Sequence, residues 1–257
     1  MPSTFKITIA YDGTGLVGWQ RQAAGVSVQG LIEEALAALD GRPVPVVGAG
    51  RTDAGVHALA QVAAFSLERD IDEGAVVRAV NARLPLSVRV LSASQAPDAF
   101  HPQFQARSKT YRYRIWNADV VSPIERAYSW HVQTPLDVPA MADAARRIEG
   151  RHDFAAFQAA GADTATTERE MFSSKVARTN LSADQAAAEG ALIVYEVTGS
   201  GFLRHMVRNI VGTLVEIGRG RQAPGWMEDV IRSRQRAEAG RTAPAEGLFL
   251  VTVAYGP

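Results

Sequence analysis

The segment Gly48–His57 is dense in glycines and polar side chains. Its sequence, Gly-Ala-Gly-Arg-Thr-Asp-Ala-Gly-Val-His, places glycines on both sides of Arg51 and Asp53. Glycine lets a backbone turn sharply and approach a ligand closely, so such a turn can project both side chains into a cleft. A carboxylate in a cleft can act as a nucleophile. Asp53 equally fits a structural role, in which it caps the turn or starts a helix.

A second polar cluster, Lys109–Arg114, reads Lys-Thr-Tyr-Arg-Tyr-Arg. In a strand, Tyr111 and Tyr113 lie on one face, and Arg112 and Arg114 lie on the other. Aromatic side chains on a sheet face stack on unpaired bases, and arginines contact phosphate. The alternative is an ordinary amphipathic strand whose tyrosines belong to the core.

The third cluster is a predicted helix over 202–217. Leu203, Val207, Ile210, Leu214 and Ile217 form one apolar face at helical spacing. Arg204 and Arg208 share another face with valines, which indicates a largely buried helix.

A buried Arg208 needs an acidic partner, and Asp53 is our candidate. Such a pair would keep the carboxylate ionised, as a nucleophile requires. The alternative is a salt bridge that only holds two elements together.

Other catalytic chemistries find little support. Cysteine is absent, which excludes disulfides, thiolate nucleophiles, zinc fingers and iron–sulfur ligands. The five histidines form no i,i+4 pair beside an acidic cluster, so we expect no metal site. No serine lies in a Gly-x-Ser-x-Gly motif. An aspartate nucleophile or a non-catalytic binding protein remains.

The segment Gly13–Gly18 fits the pattern Gly-x-Gly-x-x-Gly after a strand. In a dinucleotide-binding fold the third glycine lies inside an opening helix, whose N-terminus holds the pyrophosphate. Here the helix signal comes only at Ser27. The glycines therefore favour a turn that approaches a polyanion or shapes a rim, and a nicotinamide-dependent oxidoreductase is a distant alternative.

The elements that must position these clusters alternate along the 257 residues, of which 47% are hydrophobic. The patterns predict two fused α+β units, with a boundary near 100–107 and domains at 1–105 and 106–257. Strands are predicted at 5–10, 61–65, 88–91, 109–116, 127–133, 172–179, 191–198 and 248–254. Helices are predicted at 28–39, 73–84, 138–149, 202–217 and 225–235. Residues 160–170, 181–190 and 235–245 are predicted to be loops.

Charge is segregated although 27 basic residues balance 27 acidic ones. Residues 101–116 hold four basic side chains and no acidic one, and residues 199–221 hold four arginines against Glu216 alone. A nucleic-acid-binding face needs only local positive charge. No run reaches the ~18 apolar residues of a membrane span, and the N-terminus has no signal-peptide pattern. We therefore expect a soluble, cytoplasmic protein.

Taken together, these segments resemble the tRNA pseudouridine synthase A family, and the match runs in order along nearly the whole chain. The Gly-Arg-Thr-Asp segment is its most specific part. The matching stretches are Tyr-Asp-Gly-Thr-Gly and Gly-Trp-Gln-Arg-Gln within 11–22, Ala-Gly-Arg-Thr-Asp-Ala-Gly-Val-His at 49–57, Asn-Ala-Arg-Leu-Pro at 81–85, Phe-His-Pro-Gln-Phe at 100–104, Lys-Thr-Tyr-Arg-Tyr at 109–113, His-Met-Val-Arg-Asn-Ile-Val-Gly at 205–212 and Ala-Pro-Ala-Glu-Gly-Leu-Phe-Leu-Val at 243–251.

The resemblance implies an isomerase that converts uridine to pseudouridine at positions 38, 39 and 40 of the tRNA anticodon stem-loop. It implies no cofactor, a homodimer, and two ferredoxin-like α+β units whose mainly antiparallel sheets join around a central basic cleft. Asp53 would be the nucleophile. Arg51 would help to extrude the target, and Tyr111 would pack against the flipped uracil. Arg208 would pair with Asp53, and Leu248 would cap the pocket.

The resemblance also places tRNA contacts at Phe100, His101, Gln103 and Phe104, at Arg204 and His205, and at 162–166. Relatives can carry arginine where this chain has Gln103. The main alternative function is a catalytically silent RNA-binding protein on the same scaffold. Asp53 could attack the ribose C1′, add to the uracil C6, or act as a base toward C2′, and the sequence does not choose among these routes.

Overall fold

The structure, a computed structural model, describes residues 2–159, 161, 164–179 and 192–256, and strands and helices alternate along them. The chain folds as two units, Met1–Arg107 with Phe249–Pro257, and Ser108–Leu248. In chain order the elements are β1 (Ser3–Tyr11), α1 (Val28–Asp40), β2 (Val47–Gly48), β3 (His57–Leu67), α2 (Glu73–Asn81), β4 (Val88–Gln95), β5 (Ala106–Trp116), β6 (Trp130–His131), α3 (Val138–Arg146), β7 (Gly150–Asp153), β8 (Glu168–Thr179), β9 (Leu192–Gly199), α4 (Met206–Gly218), α5 (Trp226–Ser233) and β10 (Leu248–Tyr255).

The first unit is built on an antiparallel sheet in which β1 lies between β4 and β3. β1 alternates as its sequence predicts, and its buried side chains, among them Phe5 and Ile9, form the core. The other edge of β3 is shared. β10 pairs with it in parallel at His57, and the short β2 pairs with it at Ala63. The Asp53 loop, residues 49–56, therefore joins β2 to the start of β3, the strand with which β2 pairs.

Helix α1 begins where its sequence predicts. The Ser27 hydroxyl accepts a hydrogen bond from the Gly30 amide at 3.2 Å, which satisfies a donor that the first turn cannot pair internally. Its buried side includes Val28, Ile32 and Leu36. The backbone after Gly18 runs without a helix to this cap. The glycine segment therefore lacks the helix N-terminus on which pyrophosphate binding depends.

The second unit is built on an antiparallel sheet in the order β5-β9-β8-β7, and β6 pairs in parallel with β5. Helix α4 is buried at every position except Arg208 and Glu216. The prediction of a largely buried helix that carries an arginine is thus confirmed. Both units combine helices with mainly antiparallel strands, so the predicted α+β class is also confirmed.

The predicted helix over 202–217 was wrong at its start, because α4 begins only at Met206. His205 adopts a left-handed conformation with φ of 61°, and its carbonyl accepts from the Asn209 amide at 2.9 Å. No side chain caps this terminus. The prediction started the helix too early because Leu203 is buried at a spacing that fits the apolar face of α4. Leu203 nevertheless precedes the first helical residue.

The predicted strand over 127–133 was also wrong, because only Trp130 and His131 pair with β5. Residues Glu125–Ala127 form a 3-10 turn instead. The Ser129 hydroxyl donates to the Glu125 carbonyl at 2.8 Å, and Arg114 binds the Glu125 carboxylate at 2.6 Å. These side-chain bonds fix the turn and leave little chain for a strand.

Two predicted helices end earlier than expected. Helix α2 ends at Asn81, whose side chain donates to the Val90 carbonyl and accepts from the Val90 amide, at 2.8 and 2.9 Å. Helix α3 ends at Arg146, and the chain then passes into β7, which the polar sequence Gly-Arg-His-Asp gave no reason to expect. The chain after Leu248 belongs to the first unit, whereas the sequence suggested the second. The predicted loop at 181–190 lies outside the described residues.

Candidate active site

Asp53 lies in a turn whose backbone is held on both sides. Its carbonyl accepts from the Val56 amide at 3.1 Å, and the Trp19 amide donates to the Thr52 carbonyl at 3.1 Å. The Gly55 amide donates to the Leu16 carbonyl at 3.3 Å. Asp53 itself is half-buried, and Arg51 is exposed. The carboxylate is therefore carried by a backbone that is anchored to the segment 11–19.

That anchoring requires glycine. Gly18 has φ of 103°, and a Cβ placed on it would stand 2.5 Å from the Thr52 carbonyl oxygen. A Cβ on Gly13 would stand 2.2 Å from the Val56 carbonyl oxygen. The motif that resembled a phosphate-binding loop thus lets two backbone segments touch.

Several buried polar side chains near this turn were not among the predicted site residues. The Tyr11 hydroxyl lies 2.8 Å from Thr52 Oγ1, and the Gln61 amide donates to the Gly50 carbonyl at 3.0 Å. His57 is 1% exposed, and its Nδ1 accepts from the Gly13 amide at 3.0 Å. Its ring stacks on Phe249 with 4.6 Å between centroids. The one available signal was Gln61, a polar residue next to the apolar run 62–65 of β3.

In the second unit, Tyr111 and Tyr113 occupy neighbouring inward positions of β5. Tyr113 is wholly buried and donates from its hydroxyl to the Pro244 carbonyl at 2.8 Å, so for this residue the core alternative is correct. Tyr111 is 8% exposed and meets Phe202 edge to face, with centroids 4.9 Å apart. Phe202 therefore fixes the plane of the Tyr111 ring.

Arg208 is held by the chain segment before β10. Its Nε donates to the Ala243 carbonyl at 2.7 Å, and the Ala243 amide donates to the Arg208 carbonyl at 3.1 Å. The neighbouring Asn209 is buried and binds the same segment through Thr242, whose hydroxyl donates to Asn209 Oδ1 at 2.6 Å. These bonds orient one edge of the guanidinium.

The arginines that the sequence offered as phosphate ligands have acidic partners. Arg112 binds Glu196 at 2.8 Å, and Arg114 binds Glu125 at 2.6 Å. Glu216 accepts from both Arg219 and Arg221, each at 2.8 Å. The contact of Arg112 and Arg114 with phosphate stays a prediction, and in this structure both guanidinium groups bind carboxylates. In the same strand, burial and the nearby Arg169 lower the pKa of the Lys109 amine.

The remaining predicted contacts fall into two groups. Phe100, His101, Gln103 and Phe104 lie in one loop of the first unit. His101 stacks on Phe104 with centroids 4.1 Å apart, and Phe104 is 78% exposed. In the second unit Arg204 is exposed, and Leu248 is 5% exposed. The predicted contact range 162–166 begins at two residues outside the described part of the chain.

Two further features bear on the class of protein. Within the described ranges, no group of three or more His, Cys, Asp or Glu side chains is placed to hold a metal ion. Among the same residues, no helix has the length and hydropathy that crossing a lipid bilayer requires.

Comparison with known proteins assigns the chain to a family. The family model described as tRNA pseudouridine synthase matches residues 7–105 and 144–256, ranges that include Asp53 and Arg208. The tRNA pseudouridine synthase A of Pelobacter propionicus is 48% identical over 98% of this chain and 99% of its own length. That of Syntrophotalea carbinolica is 48% identical over 99% and 97%. That of Myxococcus xanthus is 44% identical over 97% and 91%.

These alignments also span residues 106–143, which the family model leaves unmatched and which contain Tyr111. Identity of this order over nearly complete chains, together with the α+β architecture, leaves one assignment. The chain belongs to the tRNA pseudouridine synthase family, a family of isomerases.

Proposed function

We propose that this chain converts uridine to pseudouridine at positions 38, 39 and 40 of the tRNA anticodon stem-loop, with Asp53 as the nucleophile. The observation that carries the proposal is the Gly-Arg-Thr-Asp turn. It lies inside the family match and presents a half-buried carboxylate on a backbone anchored at both sides. Such an anchored carboxylate is suited to attack, because catalysis depends on holding the reacting group in a productive direction.

The reaction is an isomerisation. The bond between the ribose C1′ and the uracil N1 breaks, the base rotates, and a bond forms between C1′ and C5. The hydrogen at C5 leaves as a proton, and N1 takes up a proton, so no oxidant or reductant is consumed. As the nucleophile, Asp53 attacks the ribose C1′ or adds to the uracil C6; removal of the C2′ proton, in which Asp53 would act as a base, is the alternative route.

The target nucleotide must leave its stack before these atoms can be reached, at a cost of a few kcal/mol. In the proposal, exposed Arg51 helps to extrude it and Tyr111 packs against the uracil. Phe202 supports the ring plane of Tyr111. Arg208 pairs with Asp53, and Leu248 caps the pocket.

The tRNA backbone and loop need a second set of contacts. We assign these to the loop with Phe100, His101, Gln103 and Phe104 and to Arg204 and His205. The exposed, stacked pair His101–Phe104 has the geometry of a stacking platform for an unpaired base.

We further propose a cytoplasmic homodimer that needs no cofactor. Sedimentation at micromolar concentration tests the oligomeric state.

The deciding experiment measures tritium release from tRNA labelled at uridine C5, without added cofactor, for the wild type and Asp53→Asn. We expect release by the wild type alone, with tRNA affinity of the variant within a few-fold. Tight binding without release from either protein would instead favour the silent RNA-binding protein. Lost binding in Asp53→Asn would make the aspartate structural.

A further inference from the structure

Three buried polar side chains of the first unit converge on residues 50–53. The Tyr11 hydroxyl lies 2.8 Å from Thr52 Oγ1, and the Gln61 amide donates to the Gly50 carbonyl at 3.0 Å. Tyr11 is 4% exposed, Thr52 is 7% exposed and Gln61 is wholly buried. Burial raises the pKa of Tyr11 to about 12, so its hydroxyl keeps its proton at neutral pH. A hydrogen-bonded chain thus runs from strand β1 to the residue before Asp53.

A contribution to stability does not by itself explain why this position has a hydrogen-bonded pair of hydroxyls. A buried hydroxyl pair contributes little net stability, because folding exchanges bonds to water for a bond within the protein, and apolar groups of the same shape can replace both partners at almost no cost. Phenylalanine and valine would fill the same space. The pair does differ from an apolar contact in one respect, because a hydrogen bond fixes direction as well as distance.

The hydrogen bond between the two hydroxyls fixes the direction of the Thr52 side chain. The Thr52 carbonyl is already bound by the Trp19 amide and lies against Gly18, so the hydroxyl bond adds a constraint on the side-chain half of the same residue. With both halves held, the torsion angles that lead into Asp53 have little freedom. A displacement of about 1 Å at a reacting group can cost about 100-fold in rate.

We propose that Tyr11 and Thr52 are positioning residues, whose hydroxyl pair sets the direction of the Asp53 carboxylate. Gln61 supports the same turn from strand β3 through its bond to the Gly50 carbonyl. The inference rests on the proposed role of Asp53 as the nucleophile. It assigns no chemistry to Tyr11 or Thr52 themselves.

The test compares Tyr11→Phe, Thr52→Val and the double variant with the wild type, under single-turnover and steady-state conditions. We expect kcat to fall about tenfold or more in each single variant, while KM and tRNA affinity stay within about threefold. The double variant should be no slower than the worse single variant, because both changes remove the same bond. Thr52→Ser keeps the hydroxyl and should retain kcat within about threefold.

The second unit offers a matched control. The Ser174 hydroxyl donates to the Tyr195 hydroxyl at 3.2 Å, and both residues are wholly buried. Tyr195→Phe therefore removes a comparable buried hydroxyl, and we expect it to lower thermal stability about as much as Tyr11→Phe while kcat stays unchanged. Tyr11→Phe removes one oxygen and no carbon, so it decides the question even if Thr52→Val does not fold.

The possible results distinguish the positioning role of Tyr11 and Thr52 from the proposed nucleophilic role of Asp53. Wild-type kcat in Tyr11→Phe, with or without a lower melting temperature, overturns the positioning role. So does a change confined to KM, or an equal loss of kcat in Tyr195→Phe. An active Asp53→Asn enzyme overturns the proposed nucleophile, whatever the hydroxyl variants do.

Discussion

Arg208 and Ala243 bind each other twice, through Arg208 Nε to the Ala243 carbonyl at 2.7 Å and through the Ala243 amide to the Arg208 carbonyl at 3.1 Å. One bond uses the side chain of the arginine and the other uses its backbone. The guanidinium therefore cannot swing away from α4 without breaking a contact to the segment before β10. An arginine held in this way is preorganised to meet an anion at a fixed place.

Arg208→Met should slow turnover by about 100-fold or more, because it removes the cation that we assign to Asp53. Tritium release under single-turnover conditions measures the effect, and tRNA affinity should change by no more than a few-fold. Arg219→Met is the control, since Arg219 pairs with Glu216 on the same helix and should leave turnover intact. A wild-type rate in Arg208→Met would reject the pairing with Asp53.

Asn209→Ala should lower the free energy of unfolding by about 2–3 kcal/mol. The buried amide donates to the Phe157 carbonyl at 2.7 Å and accepts from Arg236 and Thr242 at 3.1 and 2.6 Å. Truncation leaves these partners without their bonds in a dry environment, which is costly. Urea denaturation measures the loss. Thr242→Val removes one of the bonds and should cost less than Asn209→Ala; an equal cost would mean that the network does not act through Asn209.

Gly212→Ala should be strongly destabilising although alanine favours helices by about 1 kcal/mol over glycine. A Cβ at this position would stand 1.6 Å from the Arg241 carbonyl oxygen, so α4 and the 239–243 segment would have to separate. We expect a loss of about 3 kcal/mol or more. Gly225 serves as the control, because it has φ of −62° and no atom within 4 Å of its Cβ position. Gly225→Ala should stay within about 0.5 kcal/mol of the wild type.

Tyr111→Ala should remove most activity, because the ring is the proposed contact to the flipped uracil and its orientation depends on Phe202. Tyr113→Phe, two positions along the same strand, loses only the hydroxyl bond to Pro244 and should keep its turnover. Product formation and tRNA affinity are measured separately for each variant. Unimpaired turnover in Tyr111→Ala would rule out the packing role.

Alkaline pH should destabilise the first unit through Tyr11. Burial raises the pKa of this phenol from its ordinary value of 10.0 to about 12. The folded chain therefore keeps a proton that the unfolded chain releases, so the contribution of Tyr11 to stability is constant below pH 10 and falls as pH rises toward 12. The loss should reach on the order of 1 kcal/mol near pH 11. Urea denaturation at pH 8 and 11 should show a smaller decrease for Tyr11→Phe than for the wild type, and equal decreases would contradict this linkage.

The sequence predicted most elements because each carries a local signal. Ser27 marked the start of α1, and the alternation in β1 marked a half-buried strand, and both signals depend on nearest neighbours in the chain. The start of α4 had no such signal, since His205 reaches a left-handed conformation without a capping side chain. A periodic apolar pattern shows which residues are buried but not where the backbone becomes helical.

The candidate site was predictable only in part, for a related reason. Tyr111 and Tyr113 have the same residue type and spacing, yet one meets Phe202 and the other bonds Pro244, a partner far along the chain. Arg112 and Arg114 gave the same positive-charge signal as Arg208, but Arg112 pairs with Glu196, which lies 84 residues further along the chain, and Arg114 pairs with Glu125 in the turn after β5. The role of each of these side chains depends on its partner in another part of the fold, and residue type and spacing do not identify that partner.

The position of β10 has a consequence for synthesis. Residues 3–95 contain the four antiparallel strands β1 to β4 of the first unit, but the parallel neighbour of His57 begins only at Leu248. A growing chain on the ribosome therefore makes the whole second unit before Phe249 exists to stack on His57. Domains usually fold in the order in which they are translated. Here the unit that carries Asp53 is the first to start and the last to be finished, so an interrupted translation product contains the aspartate without its complete support.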